Sequence, residues 1–272
     1  MSDKPILHQS QITAYLRCGM QYFFRYVEDR IAPPSVALIR GTATHTAVDR
    51  NLLHKRDHGQ LLDADAVADI ARDSVNEEWE RGEVLLDEDA TPMTAKGDTV
   101  DGAVRLATFH HAALAPKLEP VHVERPFRIG SPALPVDLQG TIDLQEPTRL
   151  RDLKTAAKTP AASVAENSLQ LTMYSMAAKT LDGVAPVSLH LDTLVDLKSG
   201  PAISLQSTTR GPEDWQSLLH RINTMNSAIE KGVFLPTNPD NWVCSKKFCG
   251  YWNDICPFGR ANRKRVEIQN HE

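Results

Sequence analysis

The hydrophobic period of this chain changes near residue 119, and that change limits the folds open to it. Before it, apolar residues recur at helical spacing; after it, they alternate as strands do. Ile12, Tyr15, Leu16, Phe23, Tyr26 and Val27 mark a first helix after an N-cap at Ser10, broken by Pro33 and Pro34. Further helices are expected over about 36–53, 63–82 and 97–116, with a loop at Asp87, Glu88, Asp89, Thr91 and Pro92. Val121 to Ile129, Val136 to Leu144 and Leu150 to Thr155 then read as strands, and Pro126 points to an edge or bulge in the first. Glu146 to Thr148 joins the last two. A helix over 161–181, strands near 186–197 and 202–209, and a helix over 212–231 complete an α/β domain: a central mixed sheet flanked by helices.

Three residues on two of these strands carry chemistry. Asp152 and Lys154, two apart on a strand, project to one face, and Asp143 near the end of the preceding strand reaches the same edge if the two pair as a hairpin. Two carboxylates beside a lysine suit a hard cation such as Mg²⁺, which takes oxygen ligands and keeps waters or phosphate oxygens. The lysine can orient a water or offset charge on a phosphate. Asp-x-Lys alone says little, since Asp196, Leu197 and Lys198 repeat it before a turn, with Asp192 as the sole upstream partner. The first copy differs in having a separate strand before it and a helix after it.

The ordered set Gly41 to His45, Gly140 to Asp143, Asp152 to Thr155 and Gln170 to Tyr174 resembles the nuclease domain of RecB-type enzymes in the PD-(D/E)xK superfamily. The resemblance runs from Cys18 to Cys256. It implies a restriction-endonuclease-like core and one domain over 1–272: a helical part at 1–118, a catalytic α/β core at 119–232 and a cysteine-rich segment at 233–272 packing on Cys18. It implies further that His45, Asp143, Asp152 and the Leu153 carbonyl bind Mg²⁺ or Mn²⁺ while Lys154 assists the nucleophile. Gln170 and Tyr174 would contact substrate or steady the site, and Glu124 is either a further acidic ligand or a solvated strand residue. The implied activity is hydrolysis of DNA phosphodiesters, as an exonuclease in recombination, repair or phage DNA processing. No helicase motif is present, so a helicase or recombination protein is an expected partner. The rival reading is a non-catalytic, metal- or cluster-stapled DNA-binding module.

Cys244, Cys249 and Cys256 fall within thirteen residues, and the fourth cysteine is Cys18. Four thiolates suit tetrahedral zinc or a [4Fe–4S] cluster. One remote cysteine plus three clustered ones resembles the iron–sulfur staple of AddB-type nucleases and CRISPR-associated exonucleases, although the x4 and x6 spacings here depart from the usual Cys-x2-Cys start. The resemblance implies a structural [4Fe–4S] cluster; a zinc-bearing interaction scaffold is the alternative.

A formal net charge of −5 gives no global basic signature of a nucleic-acid binder. Local basic runs exist at Arg17, Arg25 and Arg30 beside Cys18, and at Arg260, Arg263, Lys264 and Arg265 past Cys256. If one cluster gathers both ends, these runs meet as a rim for a phosphate backbone. The start of the chain has no secretory pattern and no run is apolar enough to span a membrane, so a cytoplasmic protein with reduced cysteines is the expectation.

Overall fold

The computed structural model describes residues 4–86, 90–132, 134–245, 248–252 and 255–259. In chain order the elements are β1 (Ile6–His8), α1 (Gln9–Arg17), α2 (Gly19–Tyr22), a π-helical turn at Phe23–Val27, α3 (Val36–His58), α4 (Ala64–Glu80) and α5 (Pro92–Ala113). There follow β2 (His122–Ile129), β3 (Asp137–Gln145), β4 (Arg149–Ala156), α6 (Leu169–Asp182), β5 (Ser188–Leu197), β6 (Gly200–Thr208) and α7 (Pro212–Glu230). The six strands form one mixed sheet in the order β1-β3-β4-β5-β6, with β2 also pairing β3. This is the helix-flanked α/β arrangement expected from the change of period.

The chain divides into two compact units: residues 1–33, 130–138 and 219–272, and residues 34–129 and 139–218. The second holds most of the sheet. Its β3–β4 pair is antiparallel, β4–β5 parallel with Asp152 opposite Leu191, and β5–β6 antiparallel. One face of β4 and β5 meets α3 and α5 through Leu153, Leu194, Val48, Leu52 and Leu106, all buried. Beyond them α3, α4 and α5 pack on alanines and β-branched residues such as Ala43, Ala47, Val67, Ala71 and Ala103. Each large aliphatic side chain buried in this way contributes about 1.5–3 kcal/mol.

The first unit is built on aromatic rings. Tyr22 lies 6.2 Å from Phe234 in a stacked pair, and Phe24 lies 5.3 Å from Tyr251. The Tyr15 hydroxyl donates to the Val233 carbonyl at 2.8 Å, and the Tyr251 hydroxyl to the Arg30 carbonyl at 2.6 Å. The first helix is therefore not continuous as expected: it breaks at Cys18, whose φ of −165° is extended. Gly19 then donates its N–H to the Leu235 carbonyl, and a Cβ there would sit 2.6 Å from the Leu235 nitrogen, so only glycine lets the two backbones pass.

Other boundaries differ from expectation for identifiable reasons. α3 runs on to His58, where Gly59 caps it in the left-handed conformation. α5 begins at Pro92, because Thr91 caps Thr94 N–H and a proline suits the first helical turn, so those two residues belong to a helix start and not to a loop. α6 starts only at Leu169, with Ser168 Oγ accepting from Leu171 N–H. The 161–168 segment before it is held instead by Gln206, which accepts from Ala165 N–H and donates to the Ala161 carbonyl.

Candidate active site

The β3–β4 ladder pairs Leu144 with Arg151 and Gln145 with Leu150, and ends there. At the next position Leu153 N–H donates to the side chain of Asp143, Oδ2 at 2.9 Å, where a main-chain carbonyl would have stood. The opening left by the two strands holds the site. Asp152, fully buried, faces Lys154: the ammonium donates to Oδ1 at 2.8 Å and lies 2.7 Å from Oδ2. That second contact is close but misdirected, so Oδ2 remains a buried oxygen without a well-aimed donor.

α6 supplies the floor. Tyr174 is 1% exposed, and its hydroxyl donates to Asp143 Oδ1 at 2.8 Å and lies 3.5 Å from Asp152 Oδ1. Gln170, one turn earlier, donates to the same hydroxyl at 2.7 Å. Burial and the two neighbouring carboxylates push the Tyr174 phenol well above its ordinary range, so it stays protonated and donates. The enclosed phenol of Tyr174 touches Asp143.

α3 supplies the opposite wall. His45 Nδ1 stands 4.0 Å from Asp143 Oδ2. Burial lowers the His45 value, opposed by Asp143 and by the Leu153 carbonyl. One turn on, Asp49 is a member that the sequence reading did not single out; its i+4 spacing from His45 was the available signal. Burial, with Glu124 and Asp143 nearby, raises Asp49 to about 8. Glu124 also belongs to this group. It takes a left-handed φ of 51° on β2, and burial with Asp143 raises it to about 7. Such a backbone costs a non-glycine residue about 1–3 kcal/mol and is kept where it aims a side chain.

Burial and Asp143 likewise raise Asp152 to about 7, against the pull of Lys154. Crowded, desolvated carboxylates that cling to protons are the electrostatic setting a divalent cation relieves. Among the described residues, no three His, Cys, Asp or Glu side chains stand arranged to hold a metal ion. The donor types nevertheless fit a hard cation: Asp152 Oδ2 lacks a directed donor, and both Asp143 oxygens keep a second lone pair.

The family of PD-(D/E)XK nuclease superfamily proteins matches residues 7–257. The chain belongs to the PD-(D/E)XK nuclease superfamily. No curated protein matches it. The solved structure of SSO0001 is similar over 84% of this chain and 87% of its own, at 11% identity and a TM-score of 0.31, a likeness that carries no argument. Within this PD-(D/E)XK chain, the repeat at Asp196 is structural in setting: Arg40 pairs with it at 3.0 Å and Arg105 at 2.6 Å. Asp192 is held by the buried Arg151, which also binds Glu146 at 2.6 Å.

In the first unit Cys18, Cys244, Cys249 and Cys256 line one cavity together with Met20, Phe24, Tyr251, Trp252 and Phe258. Burial raises the Cys249 thiol, and the other three cysteines add to it; burial likewise raises Cys256. Cys18 Sγ accepts from Thr237 N–H at 3.4 Å. Of the basic residues, Arg17 donates to Gln21, Arg25 lies over the Tyr26 ring and Arg30 pairs with Glu28. Arg260, Arg263, Lys264 and Arg265 lie outside the described residues. No helix among the described residues is long and apolar enough to cross a membrane.

Proposed function

We propose that this nuclease-superfamily chain hydrolyses DNA phosphodiester bonds with Mg²⁺ or Mn²⁺ held by His45, Asp143, Asp152 and the Leu153 carbonyl. The observation that carries the reading is the convergence of Asp143, Asp152, Lys154 and His45 where the β3–β4 ladder ends. When bound, the ion supplies Lewis acidity toward the phosphate and lowers the pKa of a nearby water. Tyr174 fixes Asp143 from below, and Gln170 fixes Tyr174, so the carboxylate needs no reordering when its negative charge is used. Lys154, its side chain 45% exposed, presents its ammonium at the mouth of the site, where it orients the attacking water and offsets charge on the phosphate. Glu124 and Asp49 complete the acidic wall.

The ordered motif set supports an exonuclease of the RecB type, working in the cytoplasm with a helicase or recombination protein. The four cysteines around one cavity support a structural [4Fe–4S] cluster, with zinc as the alternative. The decisive assay is digestion of linear and circular DNA with Mg²⁺ or Mn²⁺ by wild-type, Asp143→Asn and Lys154→Met proteins purified without oxygen. The expected outcome is metal-dependent loss of linear DNA in the wild type and a fall of at least about a hundredfold in both variants. Wild-type cleavage by Asp143→Asn refutes the catalytic reading. A brown protein absorbing near about 400 nm supports the cluster; a colourless one containing zinc refutes it.

A further inference from the structure

Trp252 lines the same cavity as Cys18, Cys244, Cys249 and Cys256, and its indole Nε1 is buried with no hydrogen-bond partner among the described residues. A buried N–H left unpaired is costly and rare, and where one persists it commonly serves a ligand, a water or an ion. Backbone on both sides holds this ring in place. The Trp252 N–H donates to the Cys249 carbonyl at 3.0 Å, and the Cys256 N–H to the Tyr251 carbonyl at 3.0 Å, which fixes the residue between two of the cysteines. Beside Nε1, the ring carbon Cδ1 meets Gly259 so closely that a Cβ there would stand 3.2 Å from it and 2.6 Å from the Trp252 carbonyl oxygen.

The acceptor this cavity offers is sulfur. Of the other polar side chains in its lining, Tyr251 gives its hydroxyl to the Arg30 carbonyl, and Gln21 accepts from Arg17. Much of the remaining wall is hydrocarbon, from Phe24, Val243 and Phe258. Main-chain N–H groups already serve the sulfurs: Thr237 donates to Cys18 Sγ at 3.4 Å, Tyr251 faces Cys249, and Phe258 and Gly259 face Cys256.

We propose that the Trp252 indole N–H donates to a sulfur of the iron–sulfur group held by the four cysteines, and thereby helps to set its reduction potential. The assignment rests on the cluster reading and not on the nuclease reading. Uptake of one electron makes such a group more negative and breaks no bond, so a hydrogen bond to its sulfur favours the reduced form and raises the potential. Indole suits the role because it only donates: it has no lone pair with which to compete for iron.

The test compares wild type purified without oxygen, Trp252→Phe and, as a control, Trp215→Phe, whose indole donates to Ser175 Oγ instead. Iron content and visible absorbance report whether the cluster is present, and a dithionite titration followed by EPR gives its midpoint potential. Trp252→Phe is expected to keep its iron and to titrate at a more negative potential than wild type, with Trp215→Phe unchanged. A second measurement needs no substitution at position 252 and decides the matter even where Trp252→Phe loses its iron. In wild type labelled with ¹⁵N at the tryptophan indoles, pulsed EPR of the reduced cluster is expected to show a ¹⁵N coupling, which Trp215→Phe retains. Iron retained with an unchanged potential in Trp252→Phe, or no ¹⁵N coupling in iron-bearing wild type, overturns this proposal alone. A colourless, iron-free wild type overturns the cluster reading and this proposal together.

Discussion

Gly140 sits on β3 three residues before Asp143, and a methyl group there is expected to reach the site through one ring. A Cβ at this position would stand 2.7 Å from Phe127 Cζ, 3.0 Å from Cε1 and 3.5 Å from Met173 Cε. Phe127 is 3% exposed and cannot swing into solvent; its ring meets Tyr174 edge-on at 6.2 Å. Overpacking of this kind costs about 1–3 kcal/mol, against about 0.5–1 kcal/mol returned by replacing glycine within a strand, for a net loss of up to about 2.5 kcal/mol in Gly140→Ala. Phe127→Leu alone is expected to cost about 1–3 kcal/mol through lost packing. The double variant is expected to be more stable than the sum of the two by about 1 kcal/mol, because leucine removes the atoms the methyl strikes. Urea unfolding followed by circular dichroism measures all four proteins. DNA cleavage by Gly140→Ala should fall further than stability does, since the displaced ring presses on the phenol that holds Asp143. Strict additivity in the cycle, or a stabilised Gly140→Ala, refutes the reasoning.

Two other expectations concern single groups. Tyr174→Phe removes the hydroxyl from Asp143 and Asp152 and should lower metal affinity or cleavage about 10–100-fold with the chain still folded; unchanged Mg²⁺ dependence contradicts the role given to the phenol. Buried His110 is lowered to about 3, chiefly by desolvation and then by His111, His45 and Arg151, so it stays neutral in the fold while the unfolded chain protonates it below about 6.5. Its contribution is constant above about pH 6.5 and is lost as pH falls from there toward 3, reaching about 2 kcal/mol at pH 5. The melting temperature of His110→Gln should accordingly fall less between pH 7 and pH 5 than that of the wild type, and parallel curves count against it.

The strands that carry Asp143, Asp152 and Lys154 were legible because alternation with one buried face leaves a period of two, and their order with the flanking helices followed. Helix ends were less so. Gly59 after Lys55, Arg56 and His58 is a stop signal, and Thr91 before Pro92 a start signal, yet both depend on a cap whose geometry the hydrophobic pattern does not report. β1 spans only Ile6–His8, too short for any period. The break at Cys18 comes from a backbone more than two hundred residues away, at Leu235. At the site, His45 was named through its motif and Glu124 as one of two alternatives, whereas Asp49 gains meaning only when α3 is placed beside Asp143.

Asp143 also has an obligation that is independent of catalysis. One oxygen accepts the Leu153 N–H where the strand ladder stops, and the other accepts the Tyr174 hydroxyl. A descendant that lost turnover would still gain from an acceptor at position 143 and a donor at 174, since both close the end of the sheet. Among relatives, then, an aspartate or asparagine at 143 reports on architecture as much as on activity. Lys154 carries no such duty, for its ammonium reaches solvent and bonds only Asp152 among the described residues. If the proposed function holds, its loss is the more telling mark of a copy that no longer cleaves.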